Sequence, residues 1–356
     1  MKPLHVFRLG RVEYEDGLEL QKTVPPDALL LLEHPPVLTL GRGAKSQHVL
    51  AGPEALERLG ISVFPTDRGG DVTYHGPGQL VGYPLIQLEG KERDVRRYVG
   101  HLEEAMIRAC AAEGLSTGRI PGWTGVWVGE GPAARKVGAI GVHLSRWRTT
   151  HGFALNLAVD LAHFALIVPC GIQTAGVTSL AQELDRPVAR ARVEDSLVAA
   201  LGELLGRTPV EQSPRAETVA VVVTRGEEVL LLKRTGARGG FWQPLTGRVE
   251  RGEAPGDAAG RELEEETGAR AEPRPLDYVH AFGWNGEVAR ETAFHAAWPG
   301  GEVRIDPAEH DTFAWVSPRD ALARVPYAGL KEAIRRAVRP ATPSTRAPPP
   351  RPAAAS

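Results

Sequence analysis

Sulfur is scarce in this chain of 356 residues, which has two methionines and two cysteines, Cys110 and Cys170. Two cysteines so far apart build no disulfide framework, and without a CxxC pair the common zinc and dithiol motifs are excluded. A reducing, cytoplasmic setting is expected. Long apolar runs are also missing. DALLLLEHPP and HFALIVPCG stop far short of the roughly 18 residues a bilayer demands, and MKPLHVFRLG has no apolar centre of a secretion signal. A soluble protein with no membrane partner is expected. Nor is there an excess of one charge: 42 basic against 44 acidic residues give a net charge of -2. That balance offers no electrostatic footprint for a phosphate backbone, so a nucleic-acid partner is not expected. Only seven of the basic residues are lysine, so a lysine inside a glycine-rich motif carries information.

What is present suits globular cores: 42% of residues are hydrophobic, and the length suggests two domains at roughly 150 residues each. The polar, proline-punctuated stretch RTPVEQSPRAE, 207–217, is the best boundary. It divides the chain into a domain over 1–210, a linker over 211–217 and a domain over 218–339. The last segment, 340–356, is Pro, Ala, Ser, Thr and Arg with nothing to bury, and is predicted disordered. Within the first domain, Leu4, Val6 and Leu9 read as a strand, followed by a helix to Val24. LLLLEHPPVLTLGR reads as strand, Pro-Pro turn, strand. Apolar residues at Val95, Tyr98, Val99, Leu102, Ala105, Met106 and Ala109 give the helical spacing, closed by Gly114. In the second domain VAVVVT, RGEE and VLLLKR read as a hairpin, and a helix is predicted over 255–267. Helices and strands alternate, so the fold class is α/β.

Three segments of the first domain carry chemistry. RGGDVTYHGPGQLVGYP, 68–84, is dense in glycine and includes Arg68, His75 and Gln79. By glycine content alone it is a turn-rich edge hairpin, but glycine also lets backbone approach a ligand closely. ARKVGAIGVH, 134–143, places Lys136 at the start of a strand of small and apolar residues, where spacing alone reads as a solvated strand end. FALIVPCGIQTAGVTSL, 164–180, sets Cys170 between a proline and a glycine after an apolar, strand-like run. Cys110, inside its helix, reads as a small buried hydrophobe. A nucleophilic Cys170 needs a cation or base to lower its pKa from about 8.5, and Lys136 and His75 are the candidates.

In order and separation, RGGDVTYHGPGQLVGYP, the lysine of RKVGAIGVH, HGFALNL, and PCGI with GVTSL resemble the octanoyltransferases of lipoate biosynthesis over residues 1 to about 210. The resemblance implies a biotin/lipoate-protein-ligase-like mixed-sheet domain and the catalytic pair Cys170 and Lys136. It implies octanoyl transfer from octanoyl-acyl carrier protein, through a cysteine thioester, to a lysine of lipoyl domains. Those acceptors belong to 2-oxoacid dehydrogenases and the glycine cleavage H protein, and acyl transfer needs no cofactor. Substrate-lining residues carried over are Arg68, Gly69, Gly70, Asp71, Val72, Thr73, Tyr74 and His75, then Ala139, Ile140 and Gly141, then Gly152, Phe153 and Ala154. The general base stays open between Lys136 and His75. ATP-dependent lipoate or biotin ligases share the glycine-rich strand and the lysine but need no nucleophilic cysteine, so Cys170 favours the transferase.

GRVERGEAPGDAAGRELEEETGA, 247–269, holds Gly247, Glu253, Arg261, Glu262, Glu265 and Glu266 at fixed spacings. On a helix Glu262, Glu265 and Glu266 share a face, and such crowded carboxylates call for a cation. An all-oxygen set suits Mg²⁺ or Mn²⁺. EELEEE-type runs alone are usually solvated helix faces, but the Gly, Glu and Arg spacings resemble the Nudix box, which implies an α/β/α sandwich hydrolase. Arg261 is expected to orient Glu253. Ala269 stands where a larger aliphatic is usual. FWQPLTGRVE and EHDTFAWV resemble the branch acting on dihydroneopterin triphosphate or deoxynucleoside triphosphates, with Glu309 a further ligand or base and Trp242 or Trp315 either a stacking surface or core. The competing expectation is an ATP-dependent ligase joined to a non-catalytic, nucleotide-binding Nudix domain.

Overall fold

A computed structural model describes residues 1–168, 175–284 and 287–339. Cys170 and the tail over 340–356 lie outside the described residues.

The chain opens with β1 (Lys2–Arg11), α1 (Tyr14–Thr23), β2 (Ala28–Glu33) and β3 (Val37–Leu40). After α2 (Pro53–Arg58) come β4 (Ser62–Pro65), β5 (Val72–His75) and β6 (Gln79–Leu85). The long helix α3 (Val95–Ala112) leads to β7 (Gly118–Ile120), β8 (Trp123–Val128), β9 (Arg135–Ser145) and β10 (Arg148–Asn156). The domain closes with β11 (Gly176–Val177), α4 (Leu180–Leu184), α5 (Arg190–Leu204) and β12 (Arg207–Gln212). The main sheet runs β12-β1-β2-β6-β10-β9-β8-β7 with β11 on β9, and a small sheet runs β4-β3-β5.

The apolar face of α3 packs Tyr98, Leu102, Ala105, Met106, Ala109 and Cys110 against α5 and the sheet, as its spacing predicts. The helix begins where Asp94 accepts the Arg97 N–H, which satisfies one of the unpaired first-turn donors. Pro35 and Pro36 do not turn a hairpin. The strands on either side of them, β2 and β3, enter different sheets. The stretch 68–84 is likewise no edge hairpin: β5 joins the small sheet and β6, buried throughout, sits between β2 and β10.

Two further expectations are corrected. The run before Cys170 is not a strand, because residues Leu161–Leu166 form a 3₁₀ helix started by Asp160, whose side chain accepts the Ala162 N–H, with Phe164 packed into a core. Residues 207–212, expected at the domain boundary, are strand β12 in parallel register with β1. Buried Arg207 anchors it through Asp27 at 2.7 Å and Glu92 at 2.9 Å, which composition cannot reveal.

The second domain contains β13 (Ala216–Arg225), β14 (Glu228–Arg234), β15 (Trp242–Gln243), β16 (Leu245–Arg248) and α6 (Pro255–Thr267). Then follow β17 (Arg274–Trp284), β18 (Glu287–Ala297), β19 (His310–Val316), α7 (Pro318–Arg324) and α8 (Ala328–Val338). Its sheet runs β15-β14-β13-β18-β17, with β16 on β13 and β19 on β14. Helix α6 covers one face, and α7 and α8 cover the other. Thus the architecture is a mixed-sheet domain followed by an α/β/α sandwich.

The two domains share a core. Ala281 and Val288 of the second join Val12, Leu20, Val24, Leu30 and Leu32 of the first. The Tyr278 hydroxyl donates to Glu13 at 3.1 Å across this seam. No helix among the described residues is long and apolar enough to cross a membrane.

Candidate functional site

The first domain holds a slot between β5, β6, β9 and β10. Arg68, Gly70, Asp71, Val72, Thr73 and His75 line one side, and Ala139, Ile140, Gly141, Gly152, Phe153 and Ala154 the other. Antiparallel pairing of β9 with β10 sets Gly141 opposite Gly152 and Ala139 opposite Ala154. Glycine is required at 152, since a Cβ there would lie 2.1 Å from the Gly82 carbonyl oxygen. Gly69 and Tyr74, expected in the slot, are not among its lining residues. The Gly69 N–H donates to Val142 and ties the loop before β5 to β9. Tyr74 is buried in the small-sheet core with its hydroxyl 2.7 Å from His163. Period-2 alternation explains the second case: in β5, Thr73 and His75 flank Tyr74 in sequence and face opposite to it.

Sequence reading missed Tyr14, Val81, Tyr83 and His151 as slot residues. The histidines form a buried, neutral group. His34 donates from Nδ1 to the Val12 carbonyl and accepts the Tyr83 hydroxyl at Nε2, both at 2.7 Å, and burial pushes its pKa down to about 4. His75 donates from Nδ1 to Gln79 at 2.6 Å, and burial, with His34 nearby, takes its pKa down to about 3. His151 donates to Asp67 at 2.7 Å from a left-handed backbone, φ 57°. The cue for His151 was its place in HGFALNL, where only the following three residues were singled out.

Lys136 is buried in β9, and its Nζ lies 4.6 Å from the centre of the Trp127 ring, a cation–π distance. The chain on the carboxyl side of Cys170 is tied to this strand. The Thr178 N–H donates to the Lys136 carbonyl and the Gly176 N–H to Ala134, both at 3.0 Å, and Val177 pairs with Lys136. On the amino side, the Val168 N–H donates to His48 at 2.8 Å. Cys110 is buried in α3, and burial pushes its thiol up to about 12, far from a reactive thiolate.

The second domain carries a larger cleft of about 740 Å³. Gly247, Glu262, Glu265 and Glu266 line it, with Arg234, Arg238 and Glu309. Helix α6 starts with Pro255 in its first turn and ends at Gly268 in the left-handed conformation, φ 71°. Arg261 grips Glu253 with two bonds, 2.9 and 3.0 Å, and also reaches Glu262 and Glu265. A Cβ at Gly247 would sit 1.8 Å from the Glu262 carboxyl carbon, so a side chain there would displace that carboxylate.

Glu266 is buried with Oε2 unpartnered, and burial pushes its pKa up to about 8. Ligand atoms of Glu266, Glu309 and His310 lie within 4.8 Å of one another. Both ring nitrogens of His310 are buried without a hydrogen-bond partner, a feature no motif announced. An oxygen-rich set with an orphaned buried carboxylate oxygen fits a hard divalent cation. Trp242 and Trp315 do not line the cleft. Trp315 packs on Trp298 with Arg225 over its ring at 4.3 Å, and Trp242 joins the core beneath α7 and α8. The aromatic lining comes instead from Phe241, Phe282, Trp284 and Tyr327.

A glycine-walled slot whose strand β9 also carries a buried lysine, and a separate cleft where carboxylates face arginines, define an enzyme of two domains. Residues 15–202 match the lipoyl protein ligase A/B catalytic domain and residues 214–337 match the NUDIX domain. The chain belongs to the octanoyltransferase family and carries a Nudix domain after the transferase domain. The octanoyltransferase of Myxococcus xanthus is 50% identical over 357 residues, covering 95% of this chain and 99% of that protein. That of Chloroflexus aggregans is 48% identical over 219 residues, covering 59% of this chain and 98% of that protein. Among solved structures, the E. coli dihydroneopterin triphosphate pyrophosphohydrolase is similar at 25% identity and a TM-score of 0.32, covering 35% of this chain and 96% of that one.

Proposed function

We propose that the first domain moves an octanoyl group from acyl carrier protein to lipoyl-domain lysines through a thioester on Cys170. The acceptors are the lipoyl domains of 2-oxoacid dehydrogenases and the glycine cleavage H protein. The Cys170 thiolate attacks the carrier thioester, the carrier thiolate leaves, and the acceptor amine then attacks the Cys170 thioester. An amide forms, the cysteine sulfur leaves, and the amine's proton passes to a base. The observation that carries this reading is Lys136: a buried lysine on the strand that binds the chain just beyond the cysteine and that supplies Ala139, Ile140 and Gly141 to the slot. An ammonium there favours S⁻, and its neutral form can take the amine's proton. Of the two candidates for that role, His75 is disfavoured, since a ring with its pKa near 3 is neither a cation nor a useful base at pH 7. His75 and Gln79 instead shape the slot wall.

The second domain, in the same proposal, hydrolyses a phosphoanhydride of a nucleoside or pterin triphosphate. Glu262, Glu265 and Glu266, with Glu309, would hold Mg²⁺ or Mn²⁺, which neutralises phosphate charge and helps activate water. Arg234 and Arg238 supply the phosphate contacts, and Arg261 fixes Glu253 beneath the loop.

Incubation with octanoyl-acyl carrier protein and no ATP, read by intact mass, tests the first half. A hydroxylamine-labile octanoyl adduct on the wild type and none on Cys170→Ser is expected. No adduct on folded wild-type protein overturns the thioester route in favour of an ATP-dependent ligase.

A further inference from the structure

The wall of the Nudix-domain cleft includes one residue from the other domain. Asp16, in the first turn of α1, lines the cleft although α1 belongs to the transferase domain. It is 8% exposed, and its Oδ2 has no hydrogen-bond partner. A buried acceptor left unpaired is costly, so a donor brought by a ligand would recover that loss. Its acidic neighbour Glu291 is already engaged by the Thr218 hydroxyl at 3.2 Å and by His280 at 3.5 Å.

The cleft is divided by chemistry. Glu262, Glu265, Glu266, Glu309, Arg234 and Arg238 make a charged part that suits metal-bound phosphates. Phe282, Trp284 and Leu330 offer flat and apolar surface to a ring, and Arg248 stacks on Trp284 at 4.4 Å. A volume of about 740 Å³ falls in the range of small-molecule sites, roughly 300–1,000 Å³. Above about pH 7, where it is ionised, the Asp16 carboxylate only accepts hydrogen bonds, so it favours a ring edge with adjacent donors. A 2-amino-4-oxopyrimidine edge, shared by guanine and pterin, presents a ring N–H beside an amino group. Adenine and cytosine set a ring-nitrogen acceptor beside their amino group, and uracil sets its N–H between carbonyls.

We propose that this cleft selects a triphosphate bearing a guanine- or pterin-type ring, and that Asp16 of the transferase domain is the specificity residue that reads the ring's donor edge. This rests on the hydrolase reading of the second domain and names its substrate class. It also gives the fusion a physical consequence, because the second domain alone would lack that acceptor.

The test uses the full chain at about pH 8, where Asp16 is ionised, with Mg²⁺ or Mn²⁺, and compares GTP, 7,8-dihydroneopterin triphosphate, ATP, CTP and UTP. In the wild type, kcat/KM for GTP or the pterin triphosphate should exceed that for ATP by at least about 10-fold, as loss of a hydrogen bond to a charged group implies. Which of the two leads identifies the ring. Asp16→Asn should shrink that ratio mainly through KM, with its melting curve confirming a folded protein. Equal use of all five, preference for ATP, or an undiminished ratio in folded Asp16→Asn overturns the proposal while leaving hydrolysis intact. If nothing is hydrolysed, titration with GDP and ADP decides separately. Binding of GDP at least about 10-fold tighter than ADP, lost in Asp16→Asn, upholds the ring reading without hydrolysis, and equal or absent binding overturns it.

Discussion

The transferase slot encloses only about 40 Å³ between glycines, β-strand backbone and neutral histidines, whereas the Nudix-domain cleft encloses about 740 Å³ between carboxylates and arginines. A slot with room for only a few water molecules discriminates by shape. A wide charged cleft discriminates by electrostatics and by where its few acceptors sit. The two sites therefore fail in different ways when altered, and substitutions can separate them.

The largest expected effect is on the nucleophile. Cys170→Ser and Lys136→Ala should each lower octanoyl transfer, by about 10²–10⁴-fold for the loss of the proton-transfer group, while phosphohydrolysis by the same preparations stays within a factor of two. Loss of both activities would mean that the sites are not separable. Next, Glu266→Gln should reduce metal-dependent hydrolysis by about 10²-fold, read as phosphate release over a Mg²⁺ titration, with transfer retained.

The seam between the domains supplies smaller, pH-dependent effects. Burial pushes Glu291 up to about 7 from an ordinary 4.5, and raises Asp16 and Glu13 to about 7 as well. Between those values the folded chain binds more protons than the unfolded chain. Stability attributable to these groups is therefore full below about pH 4.5, falls as pH rises to about 7, and is level above. Glu291→Gln should remove up to about 3 kcal/mol of that slope, measured by urea unfolding at pH 5 and pH 8. An unchanged slope would show that Glu291 titrates normally. Smallest of all, Tyr278→Phe removes the bond to Glu13 and should cost about 1 kcal/mol in the same assay.

The two domains also differ in how far they could be read from the residues. Helix α6, with Pro255 opening it and Gly268 closing it, was fully legible, and the Gly247, Glu253 and Arg261 spacings correspond to contacts found in the fold. Helix α3 was legible because its apolar stripe follows the helical period. Segment 68–84 was legible as chemistry but not as topology. Glycine and proline mark where a chain turns without saying which sheet it enters next. Tyr74 was misplaced because a motif names consecutive residues while a strand alternates its faces. Strand β12 was hidden because an edge strand can be polar, and its anchor Arg207 meets partners far away in sequence.

The residues alone determined the two domain types, because the order of the motifs and the Gly, Glu and Arg spacings are written in the sequence, and they marked Cys170, Lys136 and the crowded glutamates as candidates. Only the tertiary structure decided that the histidines are buried and neutral, that Glu309 and His310 stand beside Glu266, and that Asp16 reaches into the other domain's cleft. Those facts arise from desolvation and from contacts between residues distant in sequence, and neither is written in local spacing.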